Sequence, residues 1–233
     1  MLKAKSLYHL IVYSILFIIV LIASFTFVII SNAHGELQEK IHTLKTDYTN
    51  NQKELIKNHV NYIIDFIDYY NETYKNKKSE TEIQKEVIQI IEKLKISDNP
   101  NEYIFIYDFN GNLVEDTGSK NNIGQNFFNT KDANGKLVIQ ELIKASKKKY
   151  GDYVEYIWYK PEIAKQTNKV SYALSYNKWN WTIGKGVYLD EIDKLVKLKE
   201  EEYNQKISNY TLQISSLTIM LVLYSIFIYK NAT

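Results

Sequence analysis

Cysteine is absent from the chain, and none of its 29 basic side chains is an arginine. The first absence excludes disulfides, thiolate metal sites and thiol nucleophiles. Because of the second, any anion held by charge must be held by lysine, with neutral donors as the alternative. Charge of one sign is lacking too. The formal net charge is +2, and no lysine block is interleaved with aromatics, so a nucleic-acid partner is not expected. Histidine is confined to His9, His34, His42 and His59, and none is at metal-ligand spacing. Adjacent carboxyls such as Glu115 and Asp116 point to opposite faces of a strand and cannot act as a pair. With no nucleophile and base, matched carboxylates or metal set, the sequence predicts neither an enzyme nor a cofactor.

What the chain does have is apolar length at both ends. Residues 10–30 (LIVYSILFIIVLIASFTFVII) are uncharged and long enough, at about 1.5 Å per residue, to cross a hydrocarbon core of roughly 30 Å. A cleaved signal peptide is the competing reading, but its apolar region is usually about 7 to 15 residues. Residues 210–229 (YTLQISSLTIMLVLYSIFIY) form a second uncharged run, with a buried helix of a soluble domain as the alternative. Lys3 and Lys5 before the first run and Lys230 after the second put both termini in the cytoplasm. The resulting order is a cytoplasmic start (1–9), a span (10–31), a long helix and a second helix (32–98), a sheet domain with a pocket (99–190), a helix leading back (191–209), a second span (210–229) and a cytoplasmic end (230–233). So short an end leaves no room for an output module: the chain is a fragment, or it signals through a separate partner.

Between the spans, Leu37, Ile41, Leu44, Tyr48, Asn51, Leu55, Asn58, Tyr62, Phe66 and Tyr69 recur at intervals of four and three, the seam of a long helix that could pair with a second copy. Thr81 or Ser79 would cap the next helix, which carries Ile83, Val87, Ile90, Ile91 and Leu94 on one face and stops at Asp98, Asn99 and Pro100. The period then changes to two. Strands are predicted over 103–108, 112–115, 153–159, 170–176 and 181–188, with turns at Asn110-Gly111 and 177–180 and a short helix over 136–147. The expected fold class is α+β, a five-stranded antiparallel sheet with helices on one side, packed against the long N-terminal helix. The helical segment 190–209 runs without a breaker into the second span.

Three stretches carry a family resemblance: YIFIYDFNGNLVED (103–116), GQNFFNTKDANGKLVIQELIKAS (124–146) and VEYIWYKPEIAKQTNKVSYALSYNKWNWTIGKGVYLDEID (154–193). The third is the most specific, with an aromatic strand ending in Lys-Pro, then Lys-x-Ser-Tyr, Trp-x-Trp and Ile-Gly-x-Gly-x-Tyr. Together they resemble the single-Cache, PAS-like sensor domains of bacterial chemoreceptors and sensor histidine kinases, over nearly the whole chain. The resemblance implies a multi-pass protein of the inner membrane whose periplasmic domain binds a small ligand, often a short carboxylate, and signals to a cytoplasmic module. Alternative contexts are a histidine kinase, a diguanylate cyclase, or a membrane-anchored structural protein without a ligand. Where many members have His-Pro after the second strand, this chain has Asp116-Thr117.

Strand alternation puts Tyr103, Phe105 and Tyr107 on one face with Tyr156, Trp158 and Lys160, an aromatic surface with polar tips suited to a ligand. Packing beneath the long helix is the rival reading of these aromatics. Lys169 and Lys160 are the candidates for pairing with a carboxylate, and Ser171, Tyr172 and Tyr176 complete the donor set. Asp108, Glu115, Asp116 and Glu155 leave an amine ligand open. Trp179 and Trp181 are read as structural, and Gly184 and Gly186 as sites of close packing against a helix.

Overall fold

The computed structural model describes residues 2–94 and 102–232, so the predicted stop at Asp98, Asn99 and Pro100 lies outside the described residues. Two compact units emerge: the chain up to Lys45 together with the chain from Lys194, and Thr46–Asp193.

The first unit is built from the start of α1 (Leu2–Tyr74) and most of α4 (Asp190–Ala232). Both helices contain a stretch long and apolar enough to cross a membrane. Leu10, Phe17, Phe25 and Phe27 on α1 and Leu212, Leu217 and Met220 on α4 are exposed, a surface that suits lipid and not water. Several hydroxyls within these stretches bond locally: Ser24 donates to the Val20 carbonyl, Thr26 to Ile22 and Thr218 to Ile214.

In the second unit the remainder of α1 and α2 (Glu80–Lys93) lead into β1 (Ile104–Asp108), β2 (Leu113–Asp116), α3 (Val138–Ser146), β3 (Asp152–Lys160), β4 (Lys165–Tyr176) and β5 (Trp181–Tyr188). The strands form one antiparallel sheet in the order β2-β1-β5-β4-β3. Of the two caps considered for α2, Ser79 is used. Its hydroxyl accepts from the Glu82 N–H while the Glu82 carboxylate accepts from the Ser79 N–H, a reciprocal capping box. Gly111, at φ 83°, closes the β1–β2 hairpin where a side chain would be strained. β4 begins at Lys165, earlier than the expected 170; its polar start has no apolar alternation to betray it, yet it pairs with the end of β3.

The sheet is covered on both sides, which corrects the expectation that its helices share one side. Ile56, Val60, Ile63 and Ile67 of α1 and Ile83, Val87 and Ile91 of α2 bury one face against Ile104, Ile106, Val170, Ile183 and Val187. On the other face α3 lays Val138, Ile139, Leu142 and Ile143 over Phe105, Tyr107, Val154, Tyr156 and Ala173. Its apolar positions could pack on either side, and only the chain's path decides which. The stripe of α1 that meets the sheet also differs from the predicted seam. Leu55, Tyr62 and Tyr69 of that seam are 41%, 68% and 73% exposed, so α1 carries two apolar stripes and only one is used inside this unit.

Candidate functional site

The face under α3 holds a partly open cavity of about 90 Å³. Its wall is formed by Tyr103, Phe105 and Tyr107 from β1 and the residue before it, Leu113 and Asp116 from β2, Tyr156 and Trp158 from β3, and Val138, Ile139 and Leu142 from α3; Asn122 and Phe127 close it from the loop after β2. That loop is held along the β2 edge by the Leu113 N–H donating to Gln125 O and the Gly124 N–H to Leu113 O. The predicted aromatic face is thus brought together, and five of its members, Tyr103, Phe105, Tyr107, Tyr156 and Trp158, line the space.

Lys169 and Ser171 lie on the same face, just behind this wall. The Ser171 hydroxyl is 2.8 Å from the Tyr156 hydroxyl. Lys169 stands opposite Tyr156 on β3 and Tyr188 on β5, with its Nζ 3.8 Å from the centroid of the Tyr103 ring and 4.8 Å from that of Tyr188. Aromatic faces stabilise a cation without replacing its water fully. Burial accordingly lowers the Lys169 pKa to about 7, against the pull of the Asp116 charge. The two glycines of β5 create this layer: a Cβ on Gly186 would fall 2.1 Å from Ser171 Oγ and 2.6 Å from Lys169 Cε, and one on Gly184 would fall 2.3 Å from the Phe105 ring. They do permit close packing, but against side chains of the cavity face and not against a helix.

Three predicted contacts, Lys160, Tyr172 and Tyr176, are not brought to the cavity. Lys160 shares the face but stands at the end of β3, where its Nζ donates to both carboxylate oxygens of Asp190 at 2.9 Å. Tyr172 follows Ser171 in the strand and therefore points to the opposite face; it packs in the core beneath α1, and its hydroxyl donates to the Tyr150 carbonyl. Adjacent strand residues cannot both serve one pocket. Tyr176 is likewise in that core, with its hydroxyl 3.1 Å from Asp68. Trp179 and Trp181 pack edge to face in it, as structural residues should.

Asp116 was the residue least legible beforehand. β1 and β2 pair Phe105 with Asp116, Ile106 with Glu115 and Tyr107 with Leu113, so a bulge places Val114 and Glu115 consecutively on the helix face and turns Asp116 into the cavity. Glu115, buried, meets Lys120 at 2.6 Å, and Lys120 also pairs with Glu92 of α2. The Asp116 pKa is raised by burial, which outweighs the N–H of Gly118, the charge of Lys169 and the N–H of Ser119. The hydroxyls of Tyr103, Tyr107, Tyr156 and Tyr188 are all pushed up, first by burial and further by the Asp116 charge. They are hydrogen-bond donors at any physiological pH.

Comparison with known proteins follows the same lines. The family model described as single Cache domain 2 matches residues 48–202. A sensor histidine kinase, MctS of Rhizobium johnstonii, is 38% identical over 90 residues, 39% of this chain and 19% of that protein. The chain spans about a fifth of the length of the curated relatives it matches. Among solved structures, a methyl-accepting chemotaxis protein of Vibrio parahaemolyticus superposes with a TM-score of 0.56 at 25% identity, covering 66% of this chain and 99% of that one. A Cache chemosensory domain described as recognising a carboxylic acid superposes with a TM-score of 0.53 at 23% identity, covering 64% and 98%. The matched span takes in the last part of the long helix, both faces of the sheet and the cavity between sheet and α3, and on it the chain belongs to the single Cache domain 2 family.

Proposed function

We propose that this chain is the input region of a bacterial transmembrane receptor, with its sheet domain outside the inner membrane and a small carboxylate as the ligand of its cavity. The observation that carries the reading is the cavity itself: a partly open space of about 90 Å³, lined by apolar residues of α3 and by tyrosines and a tryptophan of the sheet. A carboxylate would accept from Tyr107, Tyr156 and Trp158, while Lys169 behind Tyr103 supplies the positive field. A lysine titrating near neutrality regains its proton when an anion arrives, so ligand and charge reinforce each other. The solved Cache domain described as recognising a carboxylic acid supports the ligand class.

The two apolar helices and the lysines at their outer ends support a topology with both termini cytoplasmic. α4 starts two residues after β5 ends and continues unbroken into the second apolar stretch, so movement of β5 can reach the membrane along one helix. Occupancy shifts that equilibrium only if the ligand binds the two states with different affinity. The exposed stripe Leu55, Tyr62 and Tyr69, at intervals of seven, suits a second copy of the same helix, and the output belongs to a cytoplasmic signalling module.

A thermal-shift panel on the full chain in detergent tests the ligand, because a compound that binds only the folded form raises Tm. Short organic acids are expected to raise it and simple amines are not. Lys169→Ala should remove the carboxylate response. No response to any acid, or an unchanged one in that variant, rejects the assignment.

A further inference from the structure

The wall of the cavity holds one group that a simple carboxylate does not need. Asp116 stands among tyrosines, and its negative charge faces Tyr103, Tyr107, Tyr156 and Tyr188 as well as Lys169. Its orientation is fixed by the turn that follows. Oδ1 accepts from the Gly118 N–H at 2.8 Å and from the Ser119 N–H at 3.2 Å, and a Cβ on Gly118 would lie 2.9 Å from the Tyr103 ring, so the turn is pressed flat on the cavity wall. Both of these hydrogen bonds go to Oδ1, which leaves Oδ2 with its acceptor capacity. The other polar groups of the wall that can face a ligand, the hydroxyls of Tyr107 and Tyr156, the indole N–H and the amide of Asn122, are donors or can act as donors.

Given that the cavity takes a small carboxylate, we infer that Asp116 is its specificity-determining residue and selects acids that carry a hydrogen-bond donor on the carbon next to the carboxylate, that is, 2-hydroxy or 2-amino acids over plain or 2-oxo acids. The physical reason is an asymmetry. A ligand hydroxyl or ammonium satisfies Oδ2, whereas a methylene leaves a buried acceptor unpaired and a ketone oxygen sets two acceptors against each other. A 2-ammonium group adds a charge opposite to that of Asp116 as well as a donor. The small volume favours ligands of this size, in which the donor cannot lie far from the carboxylate.

Asparagine separates the two oxygens. Asp116→Asn can keep Oδ1 on the Gly118 and Ser119 N–H groups, so the turn survives, while an NH₂ donor replaces Oδ2. The experiment is calorimetric titration of the full chain in detergent with propionate, lactate, alanine and pyruvate, in the parent and in Asp116→Asn, with the unliganded Tm of each as the check on folding. The parent is expected to bind lactate or alanine roughly tenfold to a hundredfold more tightly than propionate and pyruvate. In Asp116→Asn the preference is expected to reverse in favour of pyruvate. Equal affinities in the parent, or a preference unchanged by the substitution, overturn the inference and leave the carboxylate reading standing. If none of the four acids binds either protein, both fall. If Asp116→Asn fails to fold, the parent series alone decides.

Discussion

The two faces of one five-stranded sheet each bury a lysine, and they treat it in opposite ways. Beneath α1, Lys185 is fully buried but reaches the Glu102 carboxylate at 3.1 Å and His59 Nδ1 at 3.0 Å. Beneath α3, Lys169 is as deeply buried and rests on the rings of Tyr103 and Tyr188. Burial lowers both pKa values, but in Lys185 the hydrogen bond and charge of Glu102 work against it. The helix face is filled by aliphatic and aromatic side chains and its lysine is paired; the other face is hollow and holds a cation over aromatic rings. Alternation along a strand lets the same residues build a core on one side and a receptor on the other.

The comparison is easiest to break with the largest effect. Ile106 is fully buried among the residues under α1 and α2, and Ile106→Ala should cost about 3 to 4 kcal/mol of stability while leaving the affinity of the folded protein unchanged. Urea unfolding followed by tryptophan emission reads this cleanly, because Trp158, Trp179 and Trp181, all in the unit that holds the sheet, are the chain's three tryptophans. A tenfold loss of affinity would show that the two faces are not independent.

The lysines give the next effect, with opposite signs. Lys185→Met leaves Glu102 and His59 without their partner and should destabilise by about 3 kcal/mol. Lys169→Met removes a charge that the empty cavity disfavours and should stabilise the unliganded protein by roughly 2 to 4 kcal/mol near neutral pH, at the expense of carboxylate binding. The pH dependence follows from the direction of the shift. Between about 7 in the fold and the ordinary 10.5, the unfolded chain holds a proton that the folded protein has released. Stability without ligand therefore rises with pH through that window, and the cost is present in full below it. The Met variant should lose this slope. Equal signs for the two substitutions would refute the distinction.

Smaller still is the cost of filling the glycine gaps. Gly186→Ala sets a methyl against Ser171 Oγ and Lys169 Cε, both side-chain atoms, and should cost about 2 kcal/mol as they are displaced. The same change should weaken ligand binding, since it moves the layer behind the cavity. A variant that loses stability but binds normally would place the site away from Lys169.

Much of this was written plainly in the chain. Period-two patterning located all five strands, and Tyr103, Phe105, Tyr107, Tyr156 and Trp158 were legible as one surface because alternation alone fixes a face. Tyr172 was misplaced by reading a motif, Lys-x-Ser-Tyr, where alternation already forbade Ser171 and Tyr172 the same side. Asp116 stayed hidden because a bulge at Val114 and Glu115 inserts one residue and reverses the count, and nothing in the local composition marks it. The side on which α3 packs, and which of the two stripes of α1 meets the sheet, depend on chain path and on competition between similar apolar faces, which a periodicity cannot rank.

The smallest effect is the most exacting test of independence. Ser79 caps α2 by accepting from the Glu82 N–H, and Ser79→Ala removes that acceptor from an exposed helix end. Loss of an N-cap hydroxyl costs about 1 kcal/mol, and the second half of the box survives, since the Ser79 N–H still donates to the Glu82 carboxylate. α2 packs on the face opposite the cavity, yet its Glu92 pairs with Lys120, which also holds Glu115 at the hidden bulge. If stability falls by that amount and acid affinity holds, the Lys120 pairs are only a surface tether. A drop in affinity larger than the drop in stability would mean that fraying α2 releases the loop carrying Asn122 and Phe127, and that the helix face helps to close the cavity after all.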